Sequence, residues 1–228
     1  MNAEKILEVK NLSVQYDNNA EYVFQDFSFD LFKSEILCLQ GRSGTGKSTI
    51  MAAILGMLPD YNARGEGEIL YKGKNLLTCD EKDMGRIRWR EISLVPQASM
   101  NSFNPVYTMR QTLREMLLLE NKNLDDAQCR LREEELMDMV HLDKSVLNSY
   151  PHELSGGMKQ RAAIALGIIY HPDILILDEV TTGLDIKMQA DVLGTILGMK
   201  KREGTTILFI SHDAELGNQF CDRKVELL

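Results

Sequence analysis

The sequence predicts an α/β fold in which a mainly parallel core sheet carries an antiparallel β flank and an inserted helical subdomain. Three observations carry that expectation. Short apolar runs at 36–39, 92–95, 174–177 and 207–210, broken only by Ser93, look like strands covered on both faces by helices. Segments 7–16 and 27–31 alternate apolar and polar residues with period two, as one-sided antiparallel strands do, and Ile69-Leu70-Tyr71 before Lys72-Gly73 joins them. Between the second and third buried runs the chain turns helical in pattern and rich in charge.

The helical stretch spans about 108–140. Leu113, Met116 and Leu117 recur at helical spacing, and Asp125 with Gln128 three residues on forms a relaxed capping box for a second helix through Leu131, Leu136 and Val140. Met109, Met116, Met137 and Met139 read as gap-filling core, and the charge run 130–135 as a solvated helix face. Residues 98–165 are expected to form the inserted subdomain, with a final strand at 224–227.

Composition narrows the function classes. With 228 residues, 44% of them hydrophobic and 26% charged, the chain can bury a sizeable core, which excludes a disordered or fibrous protein. Its net charge of −8, from 26 Lys+Arg against 34 Asp+Glu, argues against a broad nucleic-acid surface, and no nucleic-acid partner is expected. No run approaches the roughly 20 apolar residues of a membrane span. Met1-Asn2-Ala3-Glu4-Lys5 lacks the apolar stretch of a secretory leader. Cys38, Cys79, Cys129 and Cys221 are scattered, as free thiols of a reducing cytosol are and zinc ligands are not. The expectation is an acidic, soluble, intracellular protein.

Gly41-Arg42-Ser43-Gly44-Thr45-Gly46-Lys47-Ser48-Thr49 fits the phosphate-loop pattern G-x-x-x-x-G-K-[ST]. A buried strand ends before it and 49–58 reads as a helix after it. Glycines let the backbone wrap a polyphosphate and turn successive N–H groups inward beside a helix N-terminus. Lys47 would reach the β- and γ-phosphates, the Ser48 hydroxyl a Mg²⁺ position, and Thr49 would support the loop. Downstream, Asp173-Ile174-Leu175-Ile176-Leu177-Asp178-Glu179 sets two carboxylates after four apolar residues. Beside a phosphate loop this is the Walker B pattern, with Asp178 holding Mg²⁺ and Glu179 acting as general base on water.

Leu154-Ser155-Gly156-Gly157-Met158-Lys159-Gln160-Arg161 opens a helix running to about Tyr170, with Ser155 as N-cap and two glycines permitting close approach of phosphate. Placed between the phosphate loop and the Walker B strand, it resembles the signature of ATP-binding cassette (ABC) ATPases. That resemblance covers essentially the whole chain and implies the P-loop NTPase fold of that family. It implies one domain over 1–228, with about 1–97 and 166–228 as ATP-binding core and about 98–165 as the helical signature subdomain. It further implies that Tyr16 stacks on adenine and that Gln97 is the Q-loop glutamine contacting Mg²⁺. Asp185, in Thr182-Gly183-Leu184-Asp185, matches the D-loop, and His212 the switch histidine at the γ-phosphate. Val180 and Gly183 depart from the usual proline and alanine or serine, which bears on the turn after Glu179.

The resemblance also implies a head-to-tail dimer in which Ser155, Gly156 and Gly157 serve the partner's ATP. The stretches from Gln97 to Pro105 and from Tyr150 to Met158 are similar to those of dipeptide, oligopeptide and nickel importer ATPases. The implied partners are a second, homologous ATPase subunit, two integral-membrane permease subunits and an extracytoplasmic substrate-binding protein. The implied location is the cytoplasmic face of the plasma (inner) membrane. Relatives of the peptide branch usually continue past the core, so an end at Leu228 leans towards a nickel or metal-chelate importer or a trimmed chain. A soluble ABC ATPase of iron–sulfur assembly or nucleic-acid work, and an exporter ATPase, stay open as alternatives.

Overall fold

A computed structural model describes residues 4–18, 21–99 and 102–227. Met100 and Asn101, inside the stretch from Gln97 to Pro105, and Leu228 lie outside the described residues. Two sheets form the frame. The antiparallel sheet has the order β2-β1-β4-β5, from β1 (Lys5–Tyr16), β2 (Tyr22–Phe32), β4 (Ala63–Tyr71) and β5 (Lys74–Asn75). The parallel sheet has the order β6-β7-β8-β3-β9, from β3 (Ile36–Gly41), β6 (Ile92–Val95), β7 (Ile174–Asp178), β8 (Thr206–Ser211) and β9 (Arg223–Leu227).

The four inner runs of the parallel sheet, in β3, β6, β7 and β8, are mostly apolar because both of their faces are covered, whereas edge strand β9 is largely polar and exposed. Leu37, Leu39, Ile174, Ile176, Leu208 and Ile210 point into one apolar cluster, shared with β1 and α1 (Lys47–Ile54). Their alternates Ile36, Cys38, Leu175, Leu177, Ile207 and Phe209 point into the other. There they meet α3 (Met109–Glu120), α4 (Asp126–Met139), α5 (Gly156–Gly167) and α6 (Ile186–Glu203) through Leu113, Leu136, Ile164 and Ile196. Strand β1 instead alternates, and its register breaks between Val9 and Leu12, where Asn11 takes φ 48°. That bulge shifts the buried parity from Leu7 and Val9 to Leu12 and Val14.

Two short helices complete the chain, α2 (Glu81–Ile87) and α7 (Ala214–Phe220). Every parallel strand runs the same way, so the residues after β3, β6, β7 and β8 collect at one edge. Loops at the carboxyl ends of such strands are where this architecture places ligands.

Several local expectations need correction. Helix α1 spans Lys47–Ile54 rather than 49–58; Gly56 at φ +63° follows its end, and Leu58–Tyr61 forms a separate 3-10 turn. Helix α5 stops at Gly167, short of Tyr170. Met109 and Met137 are buried, and Met116 and Met139 pack partly buried against the same cluster.

In α4 the buried stripe is Cys129, Glu133, Leu136 and Met137, whereas Leu131 is 63% exposed. The run 130–135 is therefore not wholly a solvated face. Glu133 has no exposed surface and accepts hydrogen bonds from Arg110 Nη1 at 2.6 Å and Arg114 Nε at 2.8 Å. Both arginines come from α3, one helical turn apart, and reach across the helix pair to that one carboxylate. The capping box is as read: Asp125 accepts from the Gln128 N–H at 2.8 Å, and the Gln128 side chain accepts from the Asp125 N–H.

Candidate functional site

A cleft of about 350 Å³ lies at the carboxyl edge of the parallel sheet. Its lining comes from four places in the sequence: Tyr16 and Val23 on the antiparallel sheet, 43–44 and 46–49 around the phosphate loop, Gln97 after β6, and Asp178 with Glu179 at the end of β7. The loop is shaped by two close approaches. A Cβ on Gly46, whose φ is +103°, would stand 2.7 Å from Val23 Cγ1 and 2.8 Å from Phe24 Cδ1. A Cβ on Gly41 would stand 2.6 Å from Thr45 Oγ1 and 2.9 Å from the Leu227 carbonyl oxygen. Any larger residue would push the loop off strands β2 and β9.

Helix α1 starts at this loop with Gly46 as its N-cap, no capping side chain and no acidic residue in its first turn. The other described α-helices all take a side-chain cap, from Asp80, Thr108, Asp125, Ser155, Asp185 and Asp213. The leading N–H groups of α1 thus remain for an anion, at the positive end of the helix. The Lys47 ammonium lies over the loop, donating to the Gly41 and Arg42 carbonyl oxygens at 2.7 and 2.8 Å. Donors and positive charge converging there suit a polyphosphate.

Across the cleft stand the carboxylates. Burial and the neighbouring Glu179 charge push Asp178 up to about 6, against the opposing pull of Lys47 and the Gln97 backbone N–H. Among the described residues no group of three His, Cys, Asp or Glu side chains could hold a metal ion unaided. Ser48, Gln97 and Asp178 nevertheless line one cleft with the phosphate loop. Oxygen donors of this kind, few in number, fit Mg²⁺, which takes the rest of its shell from phosphate and water.

Glu179 is the hub. One carboxylate oxygen accepts from Gln97 Nε2 at 2.9 Å and from Thr182 Oγ1 at 3.4 Å, and the other lies 3.2 Å from His212 Nδ1. Its N–H donates to the Ile210 carbonyl oxygen at 3.0 Å, which fixes the end of β7 against β8. Glu179 itself adopts φ 46°, a left-handed conformation that non-glycine residues take at some cost. Val180 is buried and Gly183 has φ +78°, so the unusual glycine sits where the turn needs a positive φ.

Ser155, Gly156, Gly157 and Asp185 do not line this cleft. They open α5 and α6, where Ser155 accepts from the Met158 N–H at 3.3 Å and Asp185 from the Met188 N–H at 2.9 Å. Met188 joins the two: a Cβ on Gly157 would meet its Cγ at 3.1 Å. Ser155 and Asp185 are exposed, and Ile186 beside them is 86% exposed. The structure therefore brings Tyr16, the loop, Gln97, Asp178, Glu179 and His212 into one neighbourhood and holds the signature and D-loop residues in another. Val23 and Met188 escaped the reading of the sequence, and Thr182 entered it only within the D-loop stretch, with no role beside Glu179. Only Thr182 carried a signal, a hydroxyl three residues after the acid in a tight turn; its N–H donates to the Glu179 carbonyl oxygen at 3.0 Å.

Comparison with known proteins bears on the family and the fold. The family profile described as ABC transporter matches residues 24–182, more than half of the chain. The dipeptide transport ATP-binding protein DppD of Lactococcus lactis subsp. cremoris is 41% identical over 217 residues, covering 93% of this chain and 62% of the relative. The oligopeptide transport ATP-binding protein OppD of Bacillus subtilis is 36% identical over 226 residues, covering 96% and 62%. The chain thus spans somewhat under two thirds of the length of these curated relatives. Among solved structures, cbiO1 from Clostridium perfringens, part of the ABC transporter complex cbiONQ, superposes with a TM-score of 0.86 at 24% identity, covering 98% of this chain and 84% of that one. The dimeric bacterial ABC transporter cassette MJ0796 gives 0.80 at 24% identity, covering 96% and 93%. At that identity the two structures show the fold alone.

Proposed function

The chain belongs to the ABC transporter family, and from that premise we propose that it is the ATP-hydrolysing motor subunit of an importer, driving uptake of peptides through a separate permease. The observation that carries the reading is Glu179, held by Gln97, Thr182 and His212 beside the phosphate loop. A carboxylate so oriented is placed to take a proton from the water that attacks the γ-phosphate. Lys47 and the N–H groups of the loop bind the phosphates and stabilise the charge that builds on them. Ser48, Asp178 and Gln97 would hold Mg²⁺, which when bound neutralises phosphate charge. Tyr16 receives the adenine, and His212 steadies Glu179 and meets the γ-phosphate.

The starts of α5 and α6, where Ser155 and Asp185 are exposed and Gly157 is buried, supply Ser155, Gly156, Gly157 and Asp185 to the nucleotide of a second, homologous ATPase subunit. Their separation from the chain's own cleft supports that assignment. Residues 98–165 form the helical signature subdomain, and 1–97 with 166–228 the ATP-binding core. No helix among the described residues is long and apolar enough to cross a membrane. Two permease subunits and an extracytoplasmic binding protein complete the importer, with this chain on the cytoplasmic face, as the likeness to importer ATPases implies. The names of the relatives support peptides as the cargo over nickel or metal chelates.

The test is phosphate release by the chain assembled with its second ATPase and permeases, with and without dipeptide-loaded binding protein. Release that rises with the loaded binding protein is expected. A complex that accumulates dipeptide while its ATP stays intact would sink the proposal.

A further inference from the structure

The two ends of the cleft are built on different sheets. Tyr16 closes β1 of the antiparallel sheet, whereas the phosphate loop follows β3 of the parallel sheet, and among the described residues no ladder of hydrogen bonds joins the two. A nucleotide that touches both needs the platform for its base held at a fixed distance from the cradle for its phosphates.

Beyond the apolar core that β1, β3 and α1 share, two contacts at the cleft itself supply that link. Val23 and Phe24 of β2 press against Gly46, as the Cβ distances above require. The other is polar: the Tyr16 hydroxyl lies 3.2 Å from Thr49 Oγ1, in the first turn of α1. Thr49 is only 6% exposed, so its hydroxyl has few partners to choose from.

We infer that the Tyr16–Thr49 hydroxyl pair is a positioning device that ties the base platform to the phosphate loop and tightens adenine-nucleotide binding. This rests on the nucleotide-site reading above and adds a role for the Tyr16 hydroxyl distinct from that of its ring. The direction of the bond follows from the chemistry of the ligand. Phosphate oxygens only accept, so a threonine facing them spends its single O–H on the phosphate. Its oxygen then accepts from Tyr16, and the tyrosine proton points at Thr49. The two bonds form a short chain in which each polarises the other.

The experiment is a double-mutant cycle on the full chain, with MgATP affinity measured by calorimetry for wild type, Tyr16→Phe, Thr49→Val and the double variant. Tyr16→Phe keeps the ring and deletes only the hydroxyl; Thr49→Val keeps the shape. Tyr16→Phe is expected to weaken MgATP roughly 2- to 12-fold, the range one net hydrogen bond supports, and Thr49→Val more than that, because it also removes the donor to phosphate. The double variant is expected to bind no more weakly than the weaker single, because both remove the same link. Thr49→Ser, which keeps the hydroxyl, is expected to bind within about twofold of wild type, and far-UV and thermal profiles confirm that each variant is folded.

Singles without effect, or single losses that multiply in the double variant, overturn the hydroxyl pair while leaving the nucleotide site in place. A wild-type chain that binds neither MgATP nor inorganic tripolyphosphate overturns the site and the pair together. A wild type that binds tripolyphosphate as tightly as MgATP overturns the pair, since no base platform is then in use.

Discussion

Two interior carboxylates, Glu133 in the helical region and Asp178 in the cleft, are treated in opposite ways. Glu133 has no exposed surface and is matched by two guanidinium groups at 2.6 and 2.8 Å. Asp178 is half-buried, stands next to a second carboxylate and has only Lys47 and one backbone N–H to favour its charge. The first arrangement satisfies every charge within the chain. The second leaves negative charge in surplus, which a cation and its phosphate ligand would balance. A folded protein can carry such an imbalance when the missing partner is something it binds.

The largest expected break in this comparison is Glu179→Gln. Losing the base should lower phosphate release by about 10²- to 10⁴-fold while ATP stays bound, read by single-turnover hydrolysis and nucleotide retention. A variant that releases phosphate within a few-fold of wild type would remove the base assignment. The next is Glu133→Gln, which leaves Arg110 and Arg114 facing an amide. Their side chains are 29% and 28% exposed and partly rehydrate, so the loss should be about 3 kcal/mol of folding stability, the low end for breaking a buried pair. Urea denaturation measures it, and a change below about 1 kcal/mol would make Glu133 energetically idle.

The smallest effect sharpens the contrast through pH. Asp178 titrates near 6 when folded and near 3.8 otherwise. Between those values the folded chain holds more protons than the unfolded one. Its contribution therefore lowers stability as pH rises from about 4 to 6, and the penalty persists above. Discounted for water reaching the cleft, that penalty is about 1–2 kcal/mol. Asp178→Asn should abolish it, so the ligand-free variant should gain stability over wild type at pH 7 and not at pH 4. An equal difference at both pH values would count against the shift.

Strands were legible because burial on both faces leaves an unmistakable apolar run: 174–177 became β7 with one residue added at its end, and 207–210 became β8 with one added at each end. The phosphate loop was legible because its glycines answer a local need, seen in the space that Val23 and Phe24 take beside Gly46. The phase of α4 was not. Leu131 looks like core and Glu133 like surface, yet the reverse holds, because the helix is rotated to present Glu133 to Arg110 and Arg114. The signal lay on the other helix, where two arginines one turn apart interleave with the buried Leu113 and Leu117. Glu179's neighbours were nameable one by one, but their convergence on a single carboxylate depends on β6, β7 and β8 lying side by side.

The measurement that tests the central claim most directly is phosphate release from MgATP per folded molecule, for wild type, Glu179→Gln and Glu133→Gln side by side, below the melting temperature of all three. Glu133→Gln should hydrolyse at a rate near wild type despite its lower stability, and Glu179→Gln should be at least as stable as wild type and lose at least about 100-fold in rate. Full activity in Glu179→Gln, or a comparable loss in folded Glu133→Gln, would contradict the division between a carboxylate kept for the fold and carboxylates kept for the nucleotide.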